Sequence, residues 1–168
     1  MITPEYLPMM ARYNTWQNRS LYAAADGLED AARRLDRGAF FGSIHDTLSH
    51  ILWGDTIWMS RFDGWAPPEV AISDSGRFVL DWEALKERRQ EADARIEDWA
   101  GRVGAADLEG ELSWYSAAVE REITRPRALL IMQLFNHQTH HRGQVHAMLT
   151  AAGARPGDTD LPFMPGLD

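Results

Sequence analysis

The 168-residue sequence has no cysteine. That absence excludes disulfides, a cysteine-based zinc site and a thiol nucleophile belonging to the chain itself. No apolar run reaches the roughly 18 residues that a membrane span requires. Cationic side chains are in the minority, 17 Lys+Arg against 25 Asp+Glu, for a net charge of −8 at pH 7. Binding to nucleic acid or an anionic membrane needs clustered cations, so neither partner is expected. The opening stretch from Met1 to Tyr6 has no basic segment leading into an apolar one. A secretory signal is therefore not expected, and a cytoplasmic location fits. Several catalytic patterns are missing as well. There is no His-Glu-x-x-His, no Glu-x-x-His, no Gly-x-x-x-x-Gly-Lys and no Gly-x-Ser-x-Gly, which removes zincin, di-iron carboxylate, P-loop and hydrolase-elbow readings.

What remains is an ordinary folded composition, 45% hydrophobic and 25% charged, of a size that suits one domain over residues 1–168. Thr3-Pro4-Glu5 reads as a helix start. Leu7, Met10, Asn14, Gln17, Leu21 and Ala24 then recur at helical spacing to about residue 26. A second helix spans about Ser43 to Phe62, with Ile44, Leu48, Ile51, Trp58 and Phe62 on its apolar stripe and Gly64 at its end. Residues 63–80, with Pro67, Pro68 and Gly76, read as a long loop. Asp81 caps a third helix whose stripe is Trp82, Leu85, Ala92, Ile96, Trp99 and Val103, and whose other faces carry interspersed charge. The period shortens between 108 and 124, where Leu112 and Trp114, then Val119, Arg121 and Ile123, alternate as in a hairpin. A fourth helix follows from Thr124-Pro126 to about Ala152. From about residue 154 the tail is rich in Pro, Gly and Asp and should be irregular. The expected fold is all-α, a four-helix bundle with a small β-hairpin before the last helix.

Placement, not number, makes the histidines informative. His137 and His141 lie four residues apart, one turn up the same helix face, the spacing at which two imidazoles can grip one ion. Leu130, Leu134, Gln144 and Met148 share that face, so the pair enters the expected core. Buried imidazoles need partners, and either a metal ion or hydrogen bonds to backbone and water would serve. A third ligand would come from another helix. On the second helix His45 points almost to the back, whereas His50 sits on the flank beside Thr47, Gly54 and Ile57. Gly54 would leave room beside the imidazole for an ion or substrate. His50 is the better placed, although the wheel alone does not settle the choice. His45 and His146 point away from the cores of their helices and are not expected to be ligands; His140 lies about 60° off the pair.

Asn136-His137-Gln138-Thr139-His140-His141-Arg142-Gly143-Gln144-Val145 resembles the His-x-x-x-His-Arg-Gly-Gln signature of the DinB/YfiT family of metalloenzymes. Ser43-Ile44-His45-Asp46-Thr47-Leu48-Ser49-His50 looks like that family's second-helix segment, and Tyr13-Asn14-Thr15-Trp16 is similar to its first-helix segment. The resemblance extends in order over roughly residues 3–162. It implies a four-helix bundle holding a divalent metal on His50, His137 and His141, often as a homodimer. It also implies relatives that act as thiol-dependent S-transferases or as a mycothiol-dependent isomerase. Nothing in it implies DNA binding.

Three neutral imidazoles leave a divalent ion its full charge and an open position. Zinc is the default ion; nickel, iron and manganese also accept imidazole. Such an ion favours the thiolate form of a coordinated thiol, and a chain without cysteine would take that thiol from a low-molecular-weight co-substrate. The leading expectation is thus a thiol S-transferase acting on a small electrophile. A metal-dependent hydrolase, or a non-catalytic metal- or ligand-binding stress protein, are the alternatives. Around the triad, Gln144 could orient a ligand or be satisfied locally, and Asp46 could support His50 or simply be solvated. Asn14 and Gln17 read mainly as core hydrogen-bonding groups, Asp55 as half of a buried ion pair with an arginine, and Arg142 as fixing the end of the last helix or the tail rather than binding anything.

Overall fold

The computed structural model of the chain describes residues 1–117 and 119–167. Ala118, inside the expected hairpin, and Asp168, at the end of the expected tail, lie outside the described residues. In chain order the elements are α1 (Tyr6–Asp26), α2 (Asp30–Arg34), α3 (Ile44–Phe62), α4 (Trp82–Arg102), β1 (Glu111–Ser116), β2 (Arg121–Pro126) and α5 (Arg127–Ala151). Short 3-10 helices occupy Ile72–Arg77, Ala105–Leu108 and Leu161–Phe163. The four long helices α1, α3, α4 and α5 are the four expected from the periodicity. α3 packs on α5, α5 on α1, α1 on α4 and α4 on α3, which closes a four-helix bundle. None of the helices is long and apolar enough to cross a membrane among the described residues.

Local chemistry sets the helix ends. Ser43 caps α3 by accepting the Asp46 N–H, and Asp81 caps α4 by accepting the Ala84 N–H, each relieving one of the donors a helix start leaves free. α1 begins later than expected, at Tyr6, because residues 3–7 form a preceding turn in which the Thr3 carbonyl accepts the Tyr6 N–H. Pro8 is then the third helical residue, where the N–H it lacks would have had no partner within the helix.

The core is made by the inward stripes: Leu48 and Ile51 of α3, Leu85 and Ile96 of α4, Leu134 and Phe135 of α5 are almost wholly buried. Side chains of this size each contribute about 1.5–3 kcal/mol on burial. The hairpin pairs Glu111 with Pro126 through to Ser116 with Arg121. Its Trp114 meets Trp58 of α3 edge-on at 5.6 Å, and the Arg61 guanidinium lies over both rings. Val119, expected in the second strand, falls in the turn and is exposed.

Two stretches carry structure that the periodicity did not show. α2 is five residues long, too short for a helical period to register. The 63–80 segment contains the turn Ile72–Arg77, which lies along α3 and buries Ser75 completely. The tail is irregular apart from the turn at Leu161–Phe163, yet it is fastened to α1. Arg12 donates to the carbonyls of Pro165 and Gly166, Tyr13 to that of Thr159, and Gln17 to that of Asp158.

Candidate metal centre

α3 carries His50 and α5 carries His137 and His141, and the packing of these two helices brings the three rings together. One nitrogen from each lies within 4.8 Å of the other two. Ring centroids are 5.0 Å apart for His50 and His137, 4.7 Å for His50 and His141, and 4.6 Å for His137 and His141. His50 Nε2 stands 3.0 Å from His137 Nε2. Ligand nitrogens around a tetrahedral ion at ~2.0–2.1 Å stand roughly 3.3–3.4 Å from one another, so the spacing is nearly that of a ligand set.

The hydrogen bonds determine where the protons sit. Ser75 Oγ donates its one hydrogen to the Ile72 carbonyl at 2.7 Å. The same oxygen lies 2.8 Å from His50 Nδ1 and must therefore accept from it. His50 is thus protonated at Nδ1 and presents a bare Nε2 to the cluster. His141 repeats the arrangement, with Nδ1 at 2.8 Å from the side-chain Oε1 of Gln144. Fixing the outer nitrogen in this way orients an imidazole for metal binding. His137 supplies the only hydrogen that can lie between its own Nε2 and that of His50, which leaves its buried Nδ1 without a partner. Two lone pairs and one replaceable proton converge, a donor set that could hold a metal ion.

Aromatic rings wall the cluster. Phe41 stacks on His50 at 3.8 Å between centroids and meets His141 edge-on at 5.5 Å, while Trp53 lies parallel to His50 at 6.1 Å. Burial chiefly, and repulsion from the neighbouring imidazoles next, pull His50 down to about 3 and His137 down to about 4. His141 is lowered by burial against the opposing Gln144 hydrogen bond. All three are neutral at pH 7, the form in which imidazole ligates. Among the described residues no carboxylate belongs to the cluster.

His45 is not part of it, but its position differs from expectation. The back of α3 is covered by the 63–80 segment, so His45 is fully buried with Nε2 2.9 Å from the Val79 carbonyl. Asp46 does not support His50; Ser75, which sequence reasoning missed, does so. The space above Gly54 is taken by His137 rather than left for a substrate. Asp55 forms the expected buried pair, with Arg89 Nη1 at 2.5 Å. Its other oxygen accepts from Gln138 of α5 at 2.6 Å, beside the cluster. Arg142 braces neither helix end nor tail; its guanidinium is buried on Gln138 and Thr139. Gln17 holds the tail, and Asn14 is buried with both amide atoms unpartnered.

Fold and cluster together define a four-helix bundle protein with a histidine site able to accept a metal ion. The DinB family profile matches residues 1–167, and the chain belongs to the DinB family. It is 26% identical over 157 residues to Protein DinB of Bacillus subtilis (strain 168), covering 88% of this chain and 87% of that protein. The crystal structure of a DinB-like protein from Bacillus cereus ATCC 10987 superposes with a TM-score of 0.62 at 17% identity, covering 86% of this chain and 91% of that one. At that identity the likeness bears on the fold alone.

Proposed function

We propose that His50, His137 and His141 bind one divalent ion, zinc by default, and that the protein is a thiol-dependent S-transferase. The observation that carries the reading is the convergence of three neutral imidazoles, two of them with Nδ1–H tied back to Ser75 and Gln144. When bound, the ion supplies Lewis acidity with its charge undiminished by any carboxylate, which favours the thiolate of a small thiol at its open position. The thiol comes from solution, since the chain has no cysteine.

This chain's residues prepare that chemistry. Burial keeps the imidazoles unprotonated, and the rings of Phe41 and Trp53 exclude water from one side of the centre. Phe40, 82% exposed and edge-on to Phe41 at 4.9 Å, offers an apolar surface for the organic part of an electrophile. In the transfer itself the thiolate sulfur bonds to the electrophilic carbon, the leaving group departs with the bonding pair, and the thiol proton passes to solvent.

Metal analysis of protein purified without added metal should find about one ion per chain, the stoichiometry of a three-ligand site. Chelation should abolish thiol-dependent turnover of a small electrophile, and metal return should restore it. In the cobalt-substituted protein a low-molecular-weight thiol should produce a sulfur-to-metal charge-transfer band. If a panel of cellular thiols leaves that spectrum unchanged, the transferase reading fails and a metal-binding protein without thiol chemistry takes its place.

A further inference from the structure

Two arginines lie inside the bundle, and only one has its charge answered by contact. Arg89 of α4 meets Asp55 at 2.5 Å and Asp93 at 2.9 Å. Arg142 of α5 is 5% exposed, and among the described residues no carboxylate lies within ion-pair distance of its guanidinium. Its contacts are neutral: the side-chain Oε1 of Gln138 at 3.1 Å, the Thr139 hydroxyl at 3.3 Å and the face of Tyr13 at 5.5 Å. Asp55 is linked to it only through the Gln138 amide, and that carboxylate already serves Arg89. Burial accordingly outweighs the help of Tyr13 and the distant acids and pulls Arg142 down to about 10.

A guanidinium has five N–H donors, and two neutral acceptors leave most of them over. Beside Arg142 lies a cavity of about 300 Å³ between α1, α5 and the tail. Tyr13, Gln17, Thr139, His146 and Thr159 also line it. The Tyr13 and Gln17 donors are engaged by tail carbonyls, and the Thr139 hydroxyl hydrogen by the Phe135 carbonyl. The charged donor at the cavity is therefore Arg142, with the second Gln17 amide hydrogen, the Thr159 hydroxyl and the half-buried His146 imidazole beside it. That volume is within the range of small-ligand sites, and a planar fork of N–H groups matches a carboxylate or phosphate edge.

We propose that this cavity binds a small oxyanion, a carboxylate- or phosphate-bearing molecule, on Arg142. The site is separate from the histidine cluster and needs no metal. The chain's net charge of −8 opposes an anion at long range, where salt screens it, and Asp158 and Asp160, which flank Thr159 in the tail, oppose it from the cavity rim. Contact with a desolvated guanidinium is not screened in that way.

The test is calorimetric titration of the chelated, metal-free full chain with inorganic phosphate, sulfate and acetate, each at constant ionic strength against chloride. At least one should show a single saturable site per chain. Location is tested at Gly143, a cavity-wall position where a Cβ meets nothing within 4 Å. Gly143→Glu should weaken binding about tenfold or more by placing a like charge at the cavity, while Gly143→Gln stays within about threefold. No saturable anion binding, equal binding in the Glu variant, or equal loss in both variants would overturn the proposal. So would binding that appears only after metal is restored, which would put the anion on the ion and leave the metal centre intact as a reading.

Discussion

Gly54 and His137 are in direct contact across α3 and α5. A Cβ on Gly54 would stand 2.6 Å from His137 Cε1 and 3.0 Å from its Nδ1. Glycine is required here for the close approach of a ring rather than for backbone freedom. Gly54→Ala should therefore push the His137 imidazole out of the cluster and lower metal affinity by about tenfold or more, the scale at which a misdirected ligand is felt. Competition with a chromophoric chelator measures this directly. Unchanged affinity would mean that His137 is not a ligand, or that the two helices separate at no cost.

Ser75 and Gln144 hold the outer nitrogens of His50 and His141. Ser75→Ala leaves a buried N–H unpaired and frees His50 to exchange tautomers, so metal affinity should fall by about 10–100-fold. The stability cost should be about 1–3 kcal/mol. Gln144→Ala should act in the same direction with a smaller stability cost, because Gln144 is only half-buried. Metal titration of both variants, alongside denaturant melts, separates the two effects. Wild-type affinity in Ser75→Ala would remove its positioning role.

Acid should destabilise the metal-free protein through this cluster. His50 and His137 titrate near 3 and 4 in the fold, depressed by burial, but near 6.5 once unfolded. Between those values the unfolded chain holds more protons, so stability rises with pH across the window and falls as pH drops through 6.5. The loss between pH 6.5 and 5 should be about 3 kcal/mol for the two groups together, given a limiting slope of about 1.4 kcal/mol per pH unit for each. Urea melts at pH 5, 6 and 7 report it, and the same series on His50→Gln, whose slope should be shallower, isolates the His50 share. Equal pH slopes in both proteins would contradict the burial argument.

The long helices were legible because their apolar stripes persist over many turns, and the His137–His141 pair because a helix converts spacing into facing. Asp55 could be read as buried for the same reason, since it interrupts an apolar stripe. What a wheel cannot show is the covering of one element by another. His45 lies on the back of α3 and is nonetheless buried, because the 63–80 segment crosses there. Ser75 was invisible for a related reason: one of two serines in a Pro- and Gly-bearing loop carries no period, and only the packing of its turn on α3 gives it a partner. Arg142 was misjudged because a helical wheel gives a side chain's direction and not its reach; its guanidinium runs back to Gln138 inside the bundle, well short of the end of α5.

The polar chain inside the bundle sets the last expectation. Arg89 links Asp55 on α3 to Asp93 on its own helix, Asn18 of α1 donates to Asp93 at 2.9 Å, and Gln138 of α5 donates to Asp55. All four long helices thus meet in one set of contacts around a single guanidinium. Desolvating these charges cost stability in the first place, so the network adds less than an apolar packing of equal volume could. Breaking it is a different matter. Arg89→Met fills similar space but strands two carboxylates that are 0% and 7% exposed at the side chain, and should cost about 3–5 kcal/mol. Removing one of those charges as well, in Arg89→Met with Asp55→Asn, should recover at least about 1 kcal/mol, since an unpaired buried amide costs less than an unpaired buried charge. Urea denaturation of the two single variants and the double completes the cycle. Additive losses would show that Asp55 and Arg89 act independently, and that the helices are held by their apolar faces alone.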